Sequence, residues 1–170
     1  MSAMRFIIVM GVSGCGKSTV AAMLAGRLGW DFIEGDALHT RENVEKMRQG
    51  IPLTDVDREP WLREIARLIA GWRGAGKSGI IACSALRRRY REIIADGAHD
   101  VCFVYLRGNF ELIESRLATR QGHYMPASLL GSQFETLEEP RPDEPSITIE
   151  TGPPAGEVVA EVLKRLHFAP

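Results

Sequence analysis

Gly11, Gly16, Lys17 and Ser18 stand in the stretch "GVSGCGKST", which matches the spacing G-x-x-x-x-G-K-[ST]. Residues of these types at this spacing bind phosphate. The glycines let the chain curl so that successive N–H groups of Val12, Ser13, Gly14, Cys15 and Gly16 turn inward toward phosphate oxygens. The helix that follows adds the positive end of its dipole. Lys17 can neutralise the β- and γ-phosphates of ATP, Ser18 can give an oxygen to Mg²⁺, and Thr19, the next residue of the stretch, is counted with the ATP site. Cys15 needs no separate chemistry, because a small residue suits the inside of such a loop.

A second group of residues follows. "GDALHTRENVEKM", residues 35 to 47, sets Asp36 and His39 just beyond a short apolar run. A carboxylate there can accept the proton of an attacking hydroxyl, or orient that hydroxyl in line with the γ-phosphate. The competing reading of Asp36 is a helix cap or a structural ion pair. His39 divides between a substrate hydrogen bond and first-turn packing. Ser84 and Arg87 open "SALRRRYRE", and Arg58 sits in "DVDREPW"; the two arginines are candidates for holding an anionic acceptor. The other arginines of that run spread around a helix and are read as solvated. Arg116 and Arg120 share a helix face that leads into "QGHYM" and His123, which suits an arginine clamp on a mobile lid around 120–128.

These groups need a scaffold that brings them together. Apolar runs at 5–10, 30–34, 79–85, 101–106 and 146–150 alternate with segments of helical periodicity. The pattern predicts an α/β fold: about five parallel strands, with helices on both faces. Helices are expected over 17–28, from Thr40, through 62–72 with Pro60 in the first turn, after Asn109, over 127–139, and through 158–166. In such a sheet the strand C-terminal ends converge on one edge, where Asp36 and Ser84 would face the phosphate loop. No repeat or linker divides the chain, so residues 1–170 are read as a single domain.

Composition narrows the function classes. Twenty-one Lys and Arg against 22 Asp and Glu leave a formal charge of −1, which gives no general attraction to nucleic acid or anionic membrane. The three cysteines have no C-x-x-C spacing and suggest neither a disulfide framework nor a zinc site. With no stretch long enough to cross a bilayer and a first apolar run too short for a signal-peptide core, a cytoplasmic location is expected. Guanine-reading N-K-x-D and switch-type D-x-x-G are absent, and "GIIACSAL" puts Cys83 and Ser84 where a motor ATPase would carry its acid. What remains is a small P-loop kinase acting on a diffusible acceptor.

The stretches "MGVSGCGKST", "GDALHTRENVEKM", "GIPLTDVDREPWL", "CSALRRRYRE", "ESRLATRQGHYM" and "QFETLEEP" run in order from residue 10 to residue 140. Together they resemble the thermoresistant-type gluconokinases, small P-loop kinases related to shikimate and nucleoside monophosphate kinases. The resemblance implies ATP-dependent phosphorylation of D-gluconate at its 6-hydroxyl. It makes Gly11 to Ser18 the ATP loop, Asp36 the base or hydroxyl-orienting group, and Arg120 to Tyr124 the lid, and it places Arg116 near the adenine. Members commonly carry Lys where this chain has Arg87, which keeps the charge but alters the hydrogen-bond geometry. Members are often homodimers. Gluconate, with one carboxylate and a row of hydroxyls, suits the set Asp36, His39, Arg58, Ser84 and His123. A related kinase of shikimate or another sugar acid is the alternative, followed by an ATP-binding module that transfers nothing.

Overall fold

The computed structural model describes residues 4–119 and 129–168. Its strands are β1 (Phe6–Met10), β2 (Asp31–Glu34), β3 (Gly79–Ala82), β4 (Val101–Arg107) and β5 (Ser146–Glu150). Between and after them come α1 (Lys17–Leu28), α2 (Arg41–Arg48), α3 (Asp55–Gly74), α4 (Arg88–Ala95), α5 (Phe110–Thr119), α6 (Leu130–Thr136) and α7 (Ala155–Arg165). All strand pairs are parallel and the spatial order is β2-β3-β1-β4-β5. This is the expected α/β architecture.

Strand periodicity explains the two cores. All five residues of β1 are buried, and alternate side chains point to opposite faces. Ile7 and Val9 join the core beneath α1 and α7, where Val20, Leu24, Val158 and Val162 pack. Phe6, Ile8 and Met10 join the opposite core with Trp61, Ile65, Ile69 and Trp72 of α3 and Tyr90 of α4. β3 must begin with glycine, because a Cβ at Gly79 would stand 2.2 Å from the Trp72 ring, which stacks parallel to Phe6 at 6.3 Å.

Three element boundaries differ from expectation. Thr54 caps α3 with a full capping box: its hydroxyl accepts from Asp57 N, and the Asp57 carboxylate accepts from Thr54 N. The helix therefore starts at Asp55, and Pro60 lies inside it rather than in its first turn. β3 ends at Ala82 and does not reach Ala85, which adopts a left-handed backbone with φ of 44° that no strand can continue through. Within the described residues the helix expected over 127–139 runs from Leu130 to Thr136.

The parallel sheet sends every strand's C-terminal end to one edge. β1 runs there into the glycine loop, β2 into a 3-10 turn at Gly35–Leu38, and β3 into the loop carrying Ser84. No helix among the described residues is long and apolar enough to cross a membrane.

Candidate active site

The glycine loop is shaped by its neighbours. Gly11 has φ of 144°, and a Cβ there would lie 2.7 Å from Cys15 Sγ and 2.9 Å from the Leu106 carbonyl. Gly14 and Gly16 have φ of 85° and 98°, in the left-handed region that glycine enters freely. Cys15 is fully buried, burial pushes its thiol pKa up, and its carbonyl accepts from Thr151 Oγ1. It is a structural residue of the loop. The Lys17 ammonium reaches back across the loop to donate to the Val12 carbonyl at 3.0 Å.

The two halves of the site are joined at the backbone. Gly11 N donates to Ser84 O at 3.2 Å, which fixes the loop after β3 against the phosphate loop. Gly35 fits only as glycine, since a Cβ would stand 2.4 Å from the Ala82 carbonyl, and its own carbonyl accepts from Trp61 Nε1 at 2.8 Å. Close packing of β2 on β3 therefore positions the next residue, Asp36.

One cleft is lined by Ser13 and Lys17 from the phosphate side and by Asp36, His39, Arg58 and Ser84 from the acceptor side. Sequence reasoning had named all six. Asp36 lies inside the 3-10 turn and does not cap α2, because that cap is Thr40, whose hydroxyl accepts from Asn43 N. Among the described residues Asp36 forms no ion pair, which weakens both structural alternatives for it. The cleft thus presents two cations and one carboxylate, suited to an anion bearing hydroxyl groups.

Arg58 is held from behind. Its Nη1 donates to the Tyr90 hydroxyl at 3.0 Å, its guanidinium lies over the Tyr90 ring at 5.3 Å, and Tyr90 in turn donates to Asp55. The Tyr90 bond, aided by nearby arginines, keeps the Asp55 carboxyl below its usual range against the opposing effect of desolvation. Arg87 departs from its expected place. It is the N-cap residue of α4, pairs with Asp55 at 3.6 Å, and does not line the cleft.

His39 stacks on Trp61, with centroids 3.9 Å apart and planes within 20°. Burial lowers its pKa to about 4; Asp36 pulls the other way and Arg58 adds to the lowering. The unfolded chain takes up a proton near the ordinary imidazole value, and the folded chain refuses it. This contribution to stability is complete above pH 6.5 and is lost as pH falls toward about 4. The loss should reach about 3 kcal/mol, and His39→Gln should abolish that part of it in denaturation curves taken across the window.

Sequence reasoning missed Glu34 and Gln133. Ser18 Oγ donates to Glu34 Oε2 at 2.5 Å, so an acid at the end of β2 meets the phosphate-loop hydroxyl. The clue was available: an acidic residue ending an apolar strand two positions before Asp36. Oxygen donors of this kind suit a hard divalent cation such as Mg²⁺. No cluster of three or more His, Cys, Asp or Glu able to hold a metal occurs among the described residues. Gln133 of α6 accepts from Ser13 N at 2.6 Å across 120 positions, a pairing with no local signature.

Behind the loop, a second hollow is lined by Gly14, Cys15, Gly16, Thr19, Arg116 and the Thr151–Ala155 turn. Arg116 is fixed there by donating to the Thr151 carbonyl at 2.7 Å. Arg120, His123 and the lid expected around 120–128 lie outside the described residues.

Comparison with known proteins agrees with this fold. The family model described as AAA domain matches residues 6–140. A gluconokinase of Gluconobacter oxydans (strain 621H) is 50% identical over 164 residues, covering 96% of this chain and 91% of the relative. The thermoresistant gluconokinase of Escherichia coli (strain K12) is 43% identical and covers 93% of each chain. The crystal structure of a gluconokinase from Sinorhizobium meliloti 1021 superposes with a TM-score of 0.87 at 43% identity, covering 98% of this chain and 94% of that one. Likeness of this extent, over nearly the full length of each partner, is shared descent rather than a shared loop, and the chain belongs to the gluconokinase family.

Proposed function

We propose that the chain catalyses transfer of the γ-phosphoryl group of ATP to the 6-hydroxyl of D-gluconate, giving 6-phosphogluconate and ADP. The observation that carries this reading is the single cleft in which Lys17 of the phosphate loop faces Asp36, His39, Arg58 and Ser84. Identity of 43–50% to gluconokinases from two bacteria supports the choice of acceptor.

In this mechanism the amides from Gly11 to Ser18 cradle the phosphates, and Lys17 offsets charge that grows on the transferred group. The adenine occupies the hollow beside Arg116 and Thr19. Ser18, with Glu34 behind it, would hold Mg²⁺, which when bound would supply neutralisation of phosphate charge. Asp36 orients the 6-hydroxyl and takes its proton; in a loose transition state that proton can leave late. Arg58, backed by Tyr90, meets the gluconate carboxylate, while Ser84 and His39 hydrogen-bond the polyol. Arg120 is assigned to the charge on the transferred phosphoryl group and His123 to gluconate, with Arg87 adding positive charge from outside the cleft. A cytoplasmic location and a homodimer accord with this role.

³¹P NMR of the protein with ATP, Mg²⁺ and gluconate tests it. The expected spectrum gains ADP and 6-phosphogluconate signals. Turnover of shikimate without turnover of gluconate would overturn the reading.

A further inference from the structure

Asn43 in α2 is 4% exposed, and its carboxamide nitrogen makes two contacts. It donates to the Asp57 main-chain carbonyl at 2.9 Å and lies 3.3 Å from His39 Nδ1. A carbonyl can only accept, so the Asp57 contact fixes which end of the Asn43 side chain is nitrogen. The second N–H of that nitrogen then points at Nδ1, which must offer a lone pair. In a neutral imidazole the proton is left on Nε2.

We infer that Asn43 is a positioning residue: it sets the tautomer of His39 so that the Nε2–H donates to the oxygen of a substrate hydroxyl beside Asp36. The other constraints on the ring agree. Trp61 fixes the plane of the imidazole by stacking, and is itself tied through its indole N–H to Gly35, the neighbour of Asp36. Asn43 fixes the rotation within that plane. The charged groups that act on the ring are Asp36 and Arg58, and burial keeps the imidazole neutral between them.

An alcohol is the group that such a pair recognises. Asp36 can only accept from it and the Nε2–H can only donate to it, so a ligand atom must do both. A keto or ether oxygen would leave the carboxylate unanswered, and an ammonium would oppose the N–H. Selection of a hydroxyl at the reacting position follows from two side chains of fixed and opposite character. The identity of the hydroxyl as gluconate's rests on the function proposed above; the tautomer does not.

Long-range ¹H–¹⁵N NMR of protein labelled at histidine decides the first half. There are only four histidines, and His39→Gln assigns the signal. The wild type at neutral pH should show the Nε2–H pattern for His39; an Nδ1–H or imidazolium pattern would overturn the inference without reference to any substrate. Asn43→Asp removes both N–H donors and should invert the tautomer, and Asn43→Ala should leave a mixture. In each, kcat/KM for gluconate should fall about tenfold, the scale of one lost hydrogen bond, with KM for ATP nearly unchanged. An unchanged tautomer in a folded variant, or unchanged gluconate kinetics, would overturn the positioning role. Gluconate added without ATP should shift the wild-type Nε2–H resonance, and a resonance that stays put removes the donor role. If the wild type fails to phosphorylate gluconate, the functional proposal falls while the tautomer remains decided by its own spectrum.

Discussion

Asp36→Asn should lower kcat with gluconate by about 10²- to 10⁴-fold while leaving ATP affinity unchanged. The substitution keeps shape and size and removes the ability to take a proton or present a negative charge. Structural damage should be slight, because Asp36 caps no α-helix and forms no ion pair among the described residues. The rigidity of the turn comes from Gly35 packed on the Ala82 carbonyl and from Trp61, neither of which depends on the carboxylate. Steady-state kinetics paired with calorimetric titration of ATP separates the two effects. Activity retained within a few-fold of wild type would reduce Asp36 to a scaffold residue.

Arg91→Ala should cost about 3–5 kcal/mol of stability, the range for removing one member of a buried pair. The Arg91 side chain is 2% exposed and that of Glu144 is 7% exposed, with Nε and Oε1 at 2.7 Å. Burial alone would push the Glu144 carboxyl up, yet Arg91 and the Arg141 N–H together hold it below its ordinary value. Truncation leaves that carboxylate buried without its cation. Arg91 also donates from Nη1 to the carbonyl of Ala85 at 2.9 Å, and Ala85 is the left-handed residue next to Ser84. The variant should therefore lose gluconate affinity as well. Chemical denaturation measures the first effect, and KM for gluconate at a temperature where the variant remains folded measures the second.

Arg91 also marks where the sequence stops being legible. Within "RRRYR" it was read with its neighbours as solvated, and nothing nearby reveals that Glu144, 53 residues on, shares its burial. Gln133 and Ser13, and Tyr90 behind Arg58, were hidden for the same reason: their partners are distant in sequence and meet only through the sheet. The phosphate loop, Asp36 and Ser84 were accessible because strand-loop-helix order alone sends them to one edge. Pro60 is a different case. The rule favouring proline in a first turn was outweighed by the Thr54–Asp57 capping box, itself visible as T-x-x-D in "TDVD". Nothing in the sequence singled out Asn43; its 4% exposure and its contact with Asp57 across 14 positions set it apart.

The strand order has a consequence for how the chain reaches this state. β1 and β2 come first from the ribosome, but they are not neighbours; β3 lies between them. No strand pair of the sheet can therefore zip until residues 79–82 have emerged, and the central strand gains its second partner only with residues 101–107. Until then two strands and the phosphate loop wait without a ladder. Pairings of this kind, parallel and distant in sequence, carry a loop-closure cost before any contact repays it, and they fold slowly. Slow folding exposes β1, the most apolar strand, to other nascent chains for longest, so the yield of native protein should be set at birth by how quickly β3 arrives.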